Sequence, residues 1–529
     1  MSAPLPTGFR PQVIAERGVV VTQHPLASAL GLGALLRGGN AVDAAVTAAI
    51  ALAVLRPDTG GPGGDAFALI HSAREKKTFA LNASGPAPAG TDPERFRPRG
   101  IPRVGLLSAC LPGAVAAWSE ALKRFGTLGL DEAAAPAIEL AERGIPAGFE
   151  LSRVITGEAA VLAEDPVASE IFLPNGKPPG PFDRIFQKSL AETLRRIGRE
   201  GPGALYGGAI GEQLIQWMQA HDGWFALEDL GRVRAEWGEP LSTDYRGHQV
   251  LVIPPVSQAH ILLAELNVID DDDLAGLGHN SAEAIHLMVE AKKLAFGDRA
   301  HFTGDPAWET VPIRALVSKA RGRRLRAEIG PTASEVMLRR VPLGTDTTFL
   351  AVLDGDGNAV SFIQSNFHPF GCGRVAGSTG IVLNNRMQSF SLDPGSPNRM
   401  EAGRRPVTTL APSMVLHRGR PRFLVGSPGG DAQVQSGFQV IVKLLDHGLD
   451  IQPAVEAPRW RSQDDGGLAV ETRIPAEVIA DLQRRGHRVI PSGDWTMQMG
   501  GVHLAAVDSE RGWLVGGADP RREGYAVGF

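Results

Sequence analysis

The stretch Gly344-Thr345-Asp346-Thr347-Thr348 lies where helix-rich sequence gives way to strand-rich sequence. A threonine that becomes a chain N-terminus carries nucleophile and base in one residue. Its hydroxyl attacks, and its own α-amine takes the proton. Such an enzyme must first cut its own chain. Gly344 would permit the tight turn that brings the Thr347 hydroxyl onto the preceding carbonyl. Threonines also favour strands for packing reasons alone, so the pattern by itself leaves both readings open. A second stretch, Gly426-Ser427-Pro428-Gly429-Gly430, sits between a strand and a helix. Amides exposed at a helix start can hold a developing oxyanion. An ordinary strand-to-helix turn has the same composition.

Other chemistries find no footing. There is no Gly-x-Ser-x-Gly elbow, no His-Glu-x-x-His and no Walker loop. Gly31-Leu32-Gly33 lacks the third glycine of a dinucleotide fingerprint. The 13 histidines are scattered without ligand spacing. Asp270–Asp273 reads as a solvated loop, because adjacent carboxylates rarely converge on one ion. The 2 cysteines, Cys110 and Cys372, can form neither a disulfide framework nor a four-thiolate site. No metal and no organic cofactor are expected. A net charge of −5 argues against a nucleic-acid partner. The opening residues lack the apolar core of a signal peptide, and the longest apolar run, near Ala44–Leu55, is too short to span a bilayer. The expected location is cytoplasmic, with no membrane partner.

The elements that must position these residues are legible. Apolar residues at 43% and charged residues at 21% describe an ordinary globular chain, and 64 glycines with 39 prolines predict many tight turns. The length of 529 residues allows three or four domains or one large α/β unit. GVVVT (18–22) reads as a buried strand and Leu26–Leu36 as a helix. Asn40 is placed to cap an Ala-rich helix over 41–55, which Arg56-Pro57 stops. AFALIHS and TFALNAS read as a hairpin. Residues 113–235 are mostly helical. Tyr245–Ile253 reads as a strand and Ser281–His301 as a long helix. Beyond Pro342 the texture changes. TTFLAVLD, GNAVSFIQS, GIVLNN, PVTTLAPSMVLH, PRFLVGS, HLAAVD and WLVGGAD read as strands, with helices at Asp431–Leu449 and 475–486. No internal repeat appears. The strand-rich part is either a domain or half of one shared core.

Taken together, these segments make the chain resemble the γ-glutamyltranspeptidase family of N-terminal nucleophile hydrolases. The matching pieces are GGNAVDAAVTAAIAL (38–52), GGPGGDAF (60–67), PGAVAAW (112–118), YRG…PP (245–255), HLMVEAKKLAFGDR (286–299), DTTFLAVLDGDGNAVS (346–361), GIVLNN (380–385), RPVTTLAPSMV (405–415), GSPGG (426–430) and GLDIQPAVEAPRW (448–460). They occur in family order over nearly the whole chain. The resemblance implies an α/β (α+β) fold, a four-layer αββα sandwich. It implies a proenzyme cut between Asp346 and Thr347. The large subunit (1–346) and small subunit (347–529) would stay together, as one pair or as a dimer of pairs. Thr347 would be the nucleophile. Ser365 falls where the family keeps a threonine that hydrogen-bonds the nucleophile. Gly429 and Gly430 fall on the oxyanion glycines, and Thr408 and Thr409 on two serines that contact the substrate's α-carboxylate.

The departures bear on substrate. Where an Arg-Glu pair clamps the glutamyl carboxylate, this chain has Ser84 and Gly85. Where an Asp pairs with the glutamyl amino group, it has Ser389, with Arg386 three residues earlier. A family Asn aligns with Phe367, beside Asn366. The stretch 391–404, which carries a lid in transpeptidases, is short. Losing both charged clamps should largely abolish selection for a γ-glutamyl group. The resemblance therefore points to the amidohydrolase branches, such as oxamate amidohydrolases and cephalosporin acylases. The expected partner is a small, acidic amide. Arg386 is a candidate fork for its carboxylate, and a salt bridge is the competing use of that residue. One rival is a γ-glutamyl hydrolase or transpeptidase whose clamp is rebuilt from Arg386, Arg404 or Arg405. Another is an unprocessed, silent binding protein.

Overall fold

A computed structural model describes residues 9–335 and 346–529. Gly344 and Thr345, and with them the expected turn, lie outside the described residues. Two seven-stranded sheets stack face to face, and every pairing within them is antiparallel. The first runs Tyr525–Gly528, Gly18–Thr22, Asp346–Asp354, Ala359–Phe367, Asp65–Ser72, Lys77–Ala83, Glu236–Gly238. The second runs Val13–Ala15, Leu514–Ala518, His503–Val507, Arg420–Gly426, Ser413–His417, His248–Val252, Leu241–Tyr245.

Three apolar clusters define the layers. Val21, Phe349, Ala351, Leu353, Met414 and Leu424 fill the space between the sheets. The helices Pro25–Leu36, Ala41–Leu55 and Ala114–Phe125 cover the outer face of the first sheet. His260–Val268, Ala282–Phe302 and Ala432–Leu445 cover the second. This is the αββα sandwich. Strands from both sides of the Asp346–Thr347 bond occur in each sheet, so the two parts share one core.

Local chemistry explains the key elements. All residues of Ala41–Leu55 are buried, and its alanines let the neighbouring layers approach closely. Asn40 Oδ1 accepts from the Val42 and Asp43 amides at 2.8 and 3.2 Å, and Asp43 Oδ2 returns to the Asn40 amide at 2.8 Å. Asp354, at the end of the Thr347 strand, accepts from the Ala41 amide at 2.9 Å, which ties that strand to the helix.

Three elements differ from the sequence reading. Tyr245–Ile253 is not one strand: Tyr245 ends the strand Leu241–Tyr245, and Arg246 and Gly247, with φ of 49° and 75°, close a two-residue turn into His248–Val252. GIVLNN contributes one bridge and no strand. There the Asn384 side chain bonds Gly63 O and Cys110 O and accepts from the Cys110 amide, so the segment is fixed by a side chain instead of a ladder. The strand expected over PVTTLAPSMVLH is regular only at Ser413–His417. The edge strands Val13–Ala15, Glu236–Gly238 and Tyr525–Gly528 have no counterpart in the sequence reading. Among the described residues no helix is long and apolar enough to cross a membrane.

Candidate active site

The strand Asp346–Asp354 lies inside its sheet: its first residues pair with Ala359–Phe367, and its last four, from Ala351, pair also with Gly18–Thr22. Pairing with Ala359–Phe367 slips at the start. Asp346 opposes Phe367, Thr348 opposes Gln364, and Thr347 faces both Ser365 and Asn366. This is a β-bulge, and it re-aims the side chains beside it. Phe367 closes it with φ of 84°.

The bulge gathers three oxygens. Thr347 Oγ1 lies 2.6 Å from the Asp346 carbonyl oxygen and 3.2 Å from Ser365 Oγ. Ser365 Oγ also donates to that carbonyl at 2.9 Å and accepts from the Phe367 amide at 2.8 Å. The hydroxyl therefore sits against the one carbonyl it would have to attack to cut the chain.

The Gly426–Gly430 turn arrives from the other sheet. Gly429 and Gly430 have φ of 116° and 58°, backbone that favours glycine. They lead directly into the helix Ala432–Leu445. Gln433, in its first turn, links the turn to Thr347. Its Nε2 is 3.5 Å from Thr347 Oγ1 and 3.4 Å from Thr409 Oγ1, and its Oε1 accepts from the Ala411 amide at 3.0 Å. Sequence reasoning missed Gln433. Its only signal was its place just after the glycine pair.

Arg386 is fully buried and is not a free cation. Its Nε lies 2.5 Å from Asp65 Oδ2, its Nη1 donates to Thr408 Oγ1 at 2.8 Å, and its Nη2 reaches the Ser365 carbonyl at 3.4 Å. The salt-bridge use of Arg386 is realised, with a partner the sequence did not single out. Burial pushes the Asp65 carboxyl up to about 6, against the opposing pull of Arg386 and of the Gly85 amide, which donates to it at 2.9 Å. Ser389 Oγ donates to the Val407 carbonyl, one residue before Thr408. Thr347, Ser365, Thr408, Thr409, Arg386 and the glycine turn are thus joined by direct contacts or through Gln433, while Ser389 braces the Thr408 segment from behind.

Arg404 and Arg405 are engaged elsewhere. Arg404 donates to Glu309 at 2.9 Å, and Arg405 grips Asp305 at 2.9 Å and Glu236 at 2.6 Å. Arg405, Ser84, Leu111 and Trp308 line an open cleft of about 390 Å³, and Ala402 and Gly403 of the short 391–404 stretch form part of its wall.

Around the Asp346–Thr347 bond lies a second polar cluster. Arg56 is bidentate on Asp58 (3.0 and 2.7 Å) and pairs with Glu150 at 2.9 Å. Arg522 contacts Glu150 at 3.1 Å and Asp346 Oδ1 at 3.3 Å. A candidate metal group, His286, Glu290 and His487, lies apart from these residues. Its members already bond one another and their surroundings: His286 to His487 and the Gly330 carbonyl at 2.9 Å each, Glu290 to Lys293 at 2.7 Å and to Ser334. The group clamps the Gly330–Ser334 segment.

The family model for γ-glutamyltranspeptidase matches residues 27–529. The chain belongs to the γ-glutamyltranspeptidase family. A glutathione hydrolase-like proenzyme of Bacillus subtilis is 38% identical over 98% of this chain and 99% of its own length. An oxamate amidohydrolase proenzyme of Klebsiella pneumoniae is 34% identical over 98% and 99%. The crystal structure of a cephalosporin acylase from Bacillus halodurans superposes with a TM-score of 0.93 at 35% identity, covering 100% of this chain and 98% of that one. Members of this family are amide-bond hydrolases made as proenzymes, and this chain is one of them.

Proposed function

We propose that the protein cuts itself before Thr347 and then hydrolyses the amide of a small, acidic molecule through an ester on Thr347. The observation that carries this reading is the 2.6 Å contact between Thr347 Oγ1 and the Asp346 carbonyl, inside a bulge that also presents Ser365. Once the bond is cut, the freed α-amine of Thr347 becomes the base that takes the hydroxyl proton. Ser365 orients the hydroxyl, and the amides of Gly429 and Gly430 receive the oxyanion. Water then releases the acid.

The acidic preference rests on three features. Ser84, Gly85 and Ser389 stand uncharged where a γ-glutamyl group would be clamped. Thr408 and Thr409 offer hydroxyls, and the Arg386 guanidinium stands directly behind Thr408. A carboxylate that reaches Thr408 therefore meets hydroxyls backed by the Arg386–Asp65 pair, and none of Ser84, Gly85 and Ser389 carries a charge to receive an adjacent ammonium. Oxamate, a carboxylate joined directly to an amide, has this form. The test is a comparison of kcat/KM on processed enzyme. Oxamate or another short acidic amide should exceed γ-glutamyl-p-nitroanilide, and glycylglycine should accelerate turnover little. A best rate on glutathione, with strong acceleration by glycylglycine, would overturn the substrate assignment in favour of a transpeptidase.

A further inference from the structure

We propose that the side-chain carboxyl of Asp346 is the acid that protonates the leaving amine when the chain cuts itself. The inference rests on the reading of Thr347 as the self-cleaving nucleophile. A peptide nitrogen leaves a tetrahedral carbon only when it gains a proton. The Thr347 amide donates to Asp346 Oδ1 at 3.1 Å, which holds the carboxyl, with its proton on Oδ2, beside the nitrogen that needs one. The Asp346 carbonyl lies against both Thr347 Oγ1 and Ser365 Oγ. Asp346 and Thr347 are 3% and 1% exposed, so while the bond is intact its proton comes from a group already beside it.

The charge count around Asp346 explains why it can carry a proton. Two guanidiniums, Arg56 and Arg522, face three carboxylates, Asp58, Glu150 and Asp346. Asp58 holds Arg56 with both oxygens. Glu150 bridges the two arginines, which hold it down at about 2 against its burial. Asp346 is the third carboxylate for two cations. Burial, then the charge of Asp58, push it up to about 7, with Arg522 and Arg56 pulling the other way and Glu150 adding to the rise. The two histidines of this region add no charge at neutral pH. His24 is pushed down to about 4 by burial and by Arg56, and His503 to about 4 by burial.

The step balances. As Oγ1 bonds to the Asp346 carbonyl carbon, its proton passes to the carbonyl oxygen it touches. The Asp346 carboxyl then gives its proton to Thr347 N while the C–N bond breaks. The hydroxyl proton of the collapsing intermediate returns to the carboxylate as the C=O re-forms. An ester and a free amine result, and the carboxyl ends as it began. Water cleaves the ester, adding OH to the Asp346 carbonyl carbon and H to Oγ1.

The test follows self-cleavage of newly translated full-length chain by electrophoresis between pH 5.5 and 9. The wild-type rate should be flat below about pH 7 and fall about tenfold per unit above it, because the acid form is required. Asp346→Asn should slow cleavage at least a hundred-fold at pH 6 and lose that limb. Arg522→Gln removes a group that lowers the Asp346 carboxyl, so the midpoint should move up. Asp58→Asn removes one that raises it, so the midpoint should move down. A wild-type rate that is constant or rises with pH would overturn the proposal. So would Asp346→Asn cutting at the wild-type rate, or both neighbours moving the midpoint the same way. Thr347→Ala in parallel separates the two readings. If it is cut, the nucleophile assignment fails; if it stays whole while Asp346→Asn cuts normally, only the acid assignment fails.

Discussion

Arg386 and Asp65 show how a buried pair gives one residue two duties. Arg386 backs the Thr408 hydroxyl and also neutralises a carboxylate with no route to water. Arg386→Ala should therefore cost stability as well as activity, about 3–5 kcal/mol at neutral pH, the scale for stranding a buried charge. The loss should be pH-dependent with a definite sign. Asp65 already sits high, at about 6, and losing Arg386 raises it further. A carboxyl raised in the folded state is stable when protonated and loses stability as pH rises through its folded value. Urea titrations should thus find Arg386→Ala falling away from wild type between pH 5 and 8. Adding Asp65→Asn should restore stability without restoring kcat/KM on an acidic amide. An Arg386→Ala protein as stable as wild type at pH 8 would contradict this. At this scale the sequence singled out Thr347 and the glycine pair as local patterns with two readings each, and Ser365 only through the family resemblance. It could not show Asp65 as the partner of Arg386, or Gln433 as the link to Thr409. Those contacts form between strands and helices far apart in the chain.

The hairpin that begins at Asp65 leads to a position, Gly85, where only glycine fits. Gly85 sends its amide to Asp65, and a Cβ there would lie 1.5 Å from the Leu111 carbonyl oxygen. Backbone cannot yield to that contact, so Gly85→Glu should destabilise the protein by more than about 3 kcal/mol, the upper range for overpacking. Ser84 lines the open cleft, and its hydroxyl bonds only the nearby Asn82 side chain among the described residues. Thermal melts check the Gly85→Glu loss, and a Gly85→Glu protein with unchanged melting would contradict it. The motif comparison marked these positions as departures, but the Leu111 carbonyl that enforces one of them is a tertiary contact. Elsewhere the element reading was good where a short apolar run was bounded by turn residues, as in Gly18–Thr22 and Asp65–Ser72, both buried along their whole length. It failed where a non-glycine took positive φ, as at Arg246, and where side-chain amides such as Asn384 replaced a ladder.

At the scale of the molecule, the change of texture near residue 346 suggested two consecutive parts, while the sheets interleave them. The strand Asp346–Asp354 pairs with Gly18–Thr22 on one edge and with Ala359–Phe367 on the other. Cutting before Thr347 therefore leaves the products bound through both sheets and all three large apolar clusters. The two chains should co-purify as one particle and separate only in denaturant. The most direct measurement is the intact mass of the purified protein under denaturing conditions, with N-terminal sequencing of the smaller chain. The account predicts two masses, 1–346 and 347–529, the second chain beginning Thr347-Thr348-Phe349, and a single mass for Thr347→Ala. A protein that hydrolyses acidic amides as one uncut chain, or a Thr347→Ala chain cut at the same bond, would contradict it.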